Sequence, residues 1–203
     1  MSILQHNFIS LQPNNASIKA SEKYDWLFFS SPKSVRLFSE NYSINSNVKL
    51  AALSERTKHE MELKFNTKVH FVGSEKSVVE TALKFNQVVT TTEKVLFPIG
   101  EDSRRTVLNA VDSDNWFGFI FYKTVISDKM HSGFQFDAAF LSSPSQAEGW
   151  LTSVGNGQKC QIFSFAGSSN LYLESQGIDC IAVDNFKRES VFKALNSHLG
   201  QTD

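Results

Sequence analysis

Few side chains in this sequence stand in patterns that can do chemistry, and those few suit gripping an anion and donating a proton. Tyr122, in "FYKT", sets a phenol in an apolar, β-rich stretch, where it can donate a hydrogen bond to a departing oxygen. In "LFPIGEDSRRTVL", Gly100 closes an apolar run and Arg104 and Arg105 follow; one guanidinium there can hold a carboxylate in bidentate fashion. The turn "SSPKS" (30–34) offers Ser30, Ser31 and Lys33, and "SSPSQ" (142–146) offers Ser142, Ser143 and Ser145. In both, Ser precedes Pro, the order expected where a hydroxyl caps a helix that begins with proline, and such a helix end attracts anions. "SERT" (54–57), with Thr57, and "AGSSN" (166–170), with Gly167, Ser168 and Ser169, again open helices with small or hydroxyl residues.

Other chemistries lack their residues. His6, His59, His70, His131 and His198 are scattered without metal-ligand spacing, and no Cys stands near a His as a nucleophile would, so no metal site is expected. Neither the phosphate-loop pattern nor the dinucleotide glycine fingerprint is present, so no nucleotide cofactor is expected. Asp25 and Asp137 precede their strands at the end away from the expected site and read as turn residues.

The elements that must carry these loops follow from the pattern. Short apolar runs alternate with stretches of helical period, which predicts α/β architecture with parallel sheets covered on both faces. Strands are expected at Trp26–Phe29, Lys49–Leu53, Val69–Val72, Val95–Pro98, Trp116–Tyr122, Ala138–Leu141, Cys160–Phe165 and Cys180–Val183. Between them the spacing of Val35, Phe38 and Tyr42, of Val78, Ala82 and Phe85, of Val107, Leu108 and Val111, and of Val191, Leu195 and Leu199 predicts helices with those residues facing the core. In an open parallel sheet, ligands bind beyond the carboxyl ends of the strands, which is where every loop singled out above falls.

The chain also repeats itself. "DWLFFSSPKSVRLF" from Asp25 recurs as "DAAFLSSPSQAEGWL" from Asp137, 112 residues on; Ser54 recurs as Gly167 and Ser77 as Ser190, each 113 residues on. A persistent offset predicts a duplicated α/β unit. Between the copies, "DSDNWFGFIFYKTVISDK" is too apolar for a free linker and reads as a strand crossing between lobes. With the early "HNFISLQP" it is expected to form a two-stranded β connector. Tyr122 is then expected to look into a cleft between the lobes.

Size and composition set the outer bounds. The 203 residues allow one large core or two small ones, and a net charge of −1 removes the case for a nucleic-acid partner. No apolar run approaches the length of a membrane span, and "MSILQHNFIS" does not read as a signal peptide, so a cytoplasmic address is expected. Cys160 and Cys180 read as small buried residues.

Taken in order, "WLFFSSPKSVRLF", "KLAALSERT", "VLFPIGEDSRRTVL", "FYKT", "AAFLSSPSQA" and "FAGSSNLYLESQG" resemble the uroporphyrinogen-III synthase family over about Asp25 to Leu195. The resemblance implies two flavodoxin-like three-layer lobes with parallel sheets, joined by the two-stranded β connector. Residues 13–118 would form the first lobe, and residues 1–12 with 119–203 the connector and second lobe, with substrate in the cleft. Tyr122 would assist loss of the terminal hydroxyl, Arg104 would be a recurrent basic position, and Ser169 and Thr57 would be paired hydroxyl positions facing the cleft. The family's opening strand and helix have no counterpart, because "FISLQP" already resembles the connector; the second lobe is therefore expected to be smaller, or the chain to begin late. Where the family shows Gly-Pro after a strand, this chain has Ser54-Glu55 and Ala166-Gly167.

The implied activity is a cyclising lyase reaction without cofactor, carried out by a monomer. Hydroxymethylbilane loses water, and the resulting azafulvene closes to uroporphyrinogen III through a spiro intermediate that inverts the last pyrrole ring. Closure needs steering more than acid–base power, which accords with many anion-ready loops and a single phenol. A rival expectation is a non-catalytic, two-lobed ligand-binding protein or inactive homologue using the same loops.

Overall fold

The computed structural model describes residues 7–14, 23–74, 77–126, 135–154, 160–183 and 188–199. The chain divides into two compact units, Leu11–Thr124 and the two ends together, Met1–Ser10 with Val125–Asp203. Two strands carry the crossings between units: β1 (Ile9–Pro13) and β6 (Trp116–Ile126).

The unit of residues 11–124 is built on a six-stranded sheet in the order β1-β6-β5-β2-β3-β4, with β2 at Trp26–Phe29, β3 at Lys49–Ala52, β4 at Phe71–Val72 and β5 at Val95–Gly100. Strands β4, β3, β2, β5 and β6 run parallel. All four residues of β2 and all six of β5 are buried, as their unbroken apolar sequences require for central strands covered on both faces. Alternation along the strands sorts the core into two layers. Trp26, Phe28, Phe97, Ile99 and Trp116 face one side with Ala82 and Phe85 of α3 (Val78–Val88). Leu27, Phe29, Leu96 and Phe121 face the other with Val35 and Phe38 of α1 (Pro32–Asn41) and Met61 of α2 (Glu55–Phe65). Each helix starts where its sequence says it should: Ser31, Ser54 and Ser77 accept a hydrogen bond from the amide three residues on. Helix α2 stops at Asn66, whose backbone is left-handed (φ 49°), a conformation asparagine tolerates.

The other unit has a parallel sheet in the order β7-β8-β9: Ala138–Leu141, Gln161–Phe165 and Cys180–Val183. Helices α4 (Pro144–Val154) and α5 (Ser168–Ser175) supply Ala147, Trp150 and Leu173 to a core that also takes in Phe8. Phe8 meets Trp150 edge-on, with ring centroids 5.7 Å apart. Helix α6 (Arg188–Leu199) follows β9.

The duplication is structural. Strands β2, β3, β4 and β7, β8, β9 stand in the same order, and β7 and β8 each begin 112 residues after β2 and β3. Even the entry to the second strand repeats: Lys49 N–H donates to Asp25 O (2.8 Å) and Gln161 N–H to Asp137 O (3.0 Å). Asp25 also accepts from Lys94 N–H (2.8 Å), a turn role at the amino end of the sheet. The expected match of Ser77 to Ser190 does not extend to capping, because Ser77 precedes α3 whereas Ser190 lies inside α6. Two further expectations change. The Val107–Val111 stretch forms only a 3₁₀ turn at Leu108–Ala110, being too short after its arginine loop to build a full α-helix, and Val78 is 36% exposed, outside the core.

Candidate functional site

At the carboxyl end of the larger sheet, the strand order reverses between β2 and β5, the place where parallel sheets open a crevice. A cavity of about 160 Å³ lies there, with Phe28, Phe97 and Ile99 as its apolar floor and Ser30, Arg104 and Arg105 at its rim. The loop that carries the arginines is tied down by its backbone. Ser103 N–H donates to Gly100 O (3.1 Å), and Asn109 N–H donates to Arg105 O (2.8 Å). Arg105 N–H reaches Ser103 Oγ (3.3 Å), and Arg105 itself has φ 53°. Both guanidinium residues are exposed, and among the described residues neither has an ion-pair partner.

Tyr122 stands at the same end of the sheet on its opposite face. A register shift after Ile99 pairs Gly100 with Tyr122 and sets the tyrosine against the layer of Phe121 and Phe38. Its ring lies directly over Gly100: a Cβ at that glycine would come within 2.7 Å of two ring carbons and 3.0 Å of the hydroxyl. Only glycine permits so close a seat. Burial raises the phenol's pKa from its ordinary value, the nearby Asp102 carboxylate raises it further, and a hydrogen bond from the Gly100 backbone offsets part of this. The phenol therefore stays protonated and can act as a donor at neutral pH.

The twin Ser-Ser-Pro junctions are built alike. Ser34 N–H donates to Ser31 Oγ (3.2 Å) and Gln146 N–H donates to Ser143 Oγ (3.2 Å), while Pro32 and Pro144 open the helices. Both cap hydroxyls are thus committed to their own helices, and proline brings no N–H. What remains for a ligand at each end is the exposed Ser30 or Ser142 and one backbone amide, of Lys33 or Ser145. The Lys33 ammonium is lowered in pKa by partial burial; the Ser145 hydroxyl pairs with Ser143 (3.3 Å).

The second pair of junctions differs more. Thr57 is fully buried, its hydroxyl 3.1 Å from Ser54 Oγ, and Ser169 is only 3% exposed, so neither presents its side chain at the surface. Gly167, by contrast, adopts φ 103° and ψ −130° and starts α5 without a side-chain cap, leaving the amides of the helix start open beside the exposed Ser168. Arg105 gains its place at the cavity rim from the turn after Gly100. The tandem arginines were visible in the sequence, but which one takes the left-handed position was not.

The family described as uroporphyrinogen-III synthase HemD matches residues 2–192. The chain belongs to the uroporphyrinogen-III synthase family. Among solved structures, uroporphyrinogen-III synthetase from Helicobacter pylori 26695 is similar over 94% of this chain and 91% of its own, with a TM-score of 0.72 and 14% identity. A mutant uroporphyrinogen III synthase from the extremely thermophilic bacterium Thermus thermophilus aligns with 88% of this chain and 79% of its own, with a TM-score of 0.51 and 11% identity. At such identities these two uroporphyrinogen-III synthase structures speak for the fold alone. No curated relative matches by sequence. Among the described residues of this family member, no group of His, Cys, Asp and Glu could hold a metal ion, and no helix is long and apolar enough to cross a membrane.

Proposed function

We propose that the chain is a cyclising lyase that converts hydroxymethylbilane to uroporphyrinogen III, with Tyr122 as the residue that assists departure of the terminal hydroxyl. Membership of the family supplies the reaction. The observation that carries the assignment is the seat of Tyr122, a phenol held protonated at the carboxyl edge of a parallel sheet. In the first step the carbon–oxygen bond breaks as the neighbouring pyrrole nitrogen supplies the electron pair, and the departing hydroxide together with the proton released from that pyrrole N–H makes up the water lost, leaving a neutral azafulvene. The phenol donates a hydrogen bond to the leaving oxygen and needs no base partner.

Closure at the substituted carbon of the last ring, through a spiro intermediate, is then a matter of holding the chain. Ser30, Lys33, Arg104, Ser142, Gly167 and Ser168 are assigned to substrate carboxylates, through exposed side chains and free amides. Thr57, Ser169, Ser31 and Ser143 are assigned to shaping those junctions, because their hydroxyls are buried or spent on caps. The reading extends to a cytoplasmic monomer, and it includes no nucleic-acid partner, because a net charge of −1 offers no basic footprint for one. The test is to supply fresh hydroxymethylbilane and resolve the products. Uroporphyrinogen III above the spontaneous background is expected; the uninverted isomer alone contradicts the proposal.

A further inference from the structure

The cavity between β2 and β5 and the phenol of Tyr122 lie on opposite faces of one sheet. Phe97 and Ile99 point to the cavity, whereas Gly100, next along β5, points to Tyr122. If Tyr122 meets the leaving hydroxyl, the group in the cavity is a different part of the substrate. An apolar floor under exposed guanidinium groups that have no ion-pair partner among the described residues suits a flat ring that carries carboxylates: the ring covers the phenyl surfaces and the carboxylates reach the rim.

Arg105 adds a second observation. Its φ of 53° is a conformation that glycine adopts freely and an arginine side chain disfavours, yet no ion pair or side-chain hydrogen bond in the described residues rewards the guanidinium for being there. Stability alone would favour Gly at this position. We propose that Arg105 is a substrate-gripping residue that holds a non-reacting, carboxylated pyrrole ring in this cavity. The proposal rests on the reading of the chain as acting on hydroxymethylbilane. Grip on a remote ring is how an enzyme directs binding energy to orientation of the reacting one.

Arg105→Gly separates function from folding, since it keeps or eases the backbone while removing the cation. The expected result is a KM for hydroxymethylbilane raised roughly ten-fold or more, the range for a lost charged hydrogen bond, with kcat affected less and Tm no lower than wild type. Lys64→Ala, which removes an exposed charge from α2, is expected to leave KM unchanged. A second arm does not need turnover: a pyrrole dicarboxylic acid is titrated into wild type and Arg105→Gly, with binding followed by NMR. Weaker binding to the variant supports the proposal even if wild type makes only the uninverted isomer, in which case the reading of the reaction fails by itself. Equal binding to both proteins, or no binding to wild type, overturns the proposal even if uroporphyrinogen III is formed.

Discussion

Residues 25–88 and 137–199 follow one plan, yet they differ in what comes next to them. The first copy is continued by β5 and β6, which bring Gly100, the arginine loop and Tyr122 to the sheet's carboxyl end. The second keeps the three parallel strands β7, β8 and β9 and ends in α6. Duplication has therefore multiplied one device, the capped helix start after a buried strand, while the side chains with distinctive chemistry lie outside the repeat. The two copies have also parted at the second junction, where the first uses a serine cap at Ser54 and the second a left-handed glycine at Gly167.

The sharpest way to break this contrast is at Gly100. Gly100→Ala drives a methyl into the Tyr122 ring, and overpacking of this kind costs about 1–3 kcal/mol, measured by urea unfolding. Because the phenol must shift, kcat is expected to fall roughly ten-fold or more, as misplacement of a positioned group does. Activity that survives intact would show that the close seat of Tyr122 is unnecessary.

An exchange at the second junction comes next in size. Gly167→Ser forces a side chain into a backbone that favours glycine and should cost about 1–2 kcal/mol, although nothing lies within 4 Å of the new Cβ. Ser54→Gly, the reverse exchange in the first copy, should cost only about a few tenths of a kcal/mol. Equal costs would mean that the two junctions have not diverged in conformation.

The first junction should behave in the opposite manner. Ser31→Ala and Ser143→Ala each remove one cap hydrogen bond of the same length and should each cost about 1 kcal/mol in thermal or urea unfolding. A large difference between them would undo the claim that the Ser-Ser-Pro device is the same in both copies.

A smaller effect marks the segment beyond the repeat. Burial alone would raise the Glu93 carboxyl, but hydrogen bonds from Lys49 and Thr90 outweigh it and hold the pKa at about 2. A depressed carboxylate adds stability that is present above its unfolded pKa, about 4.3, and is lost as pH falls toward the folded value. Glu93→Gln should therefore be less stable at pH 7, by about 1 kcal/mol or less given its exposed lysine partner, and should lose less on acidification to pH 2. Parallel acid-unfolding curves for the two proteins would remove Glu93 from the account.

Much of the fold was legible because buried parallel strands are short unbroken apolar runs. Trp26–Phe29, Ala138–Leu141 and Cys180–Val183 stand where the sequence places them, and Ser31, Ser54 and Ser77 cap the helices expected after them. Periodicity failed where packing decides. The spacing of Val107, Leu108 and Val111 is helical, but the hydrogen bonds of the arginine loop leave room for only one 3₁₀ turn. At the site, Tyr122 and Gly100 were each visible as residue types, whereas their contact depends on a register shift between β5 and β6 that no local pattern encodes. The committed state of the Ser31 and Ser143 hydroxyls and the burial of Thr57 are likewise properties of completed helix starts.

Steady-state kinetics of Tyr122→Phe on hydroxymethylbilane test most directly whether the strand outside the repeat does the chemistry while the capped junctions hold the substrate. The expected result is a kcat lowered roughly ten- to hundred-fold, the effect of losing one hydrogen bond to a developing charge, with KM little changed and uroporphyrinogen III still the product. A kcat equal to that of wild type contradicts it.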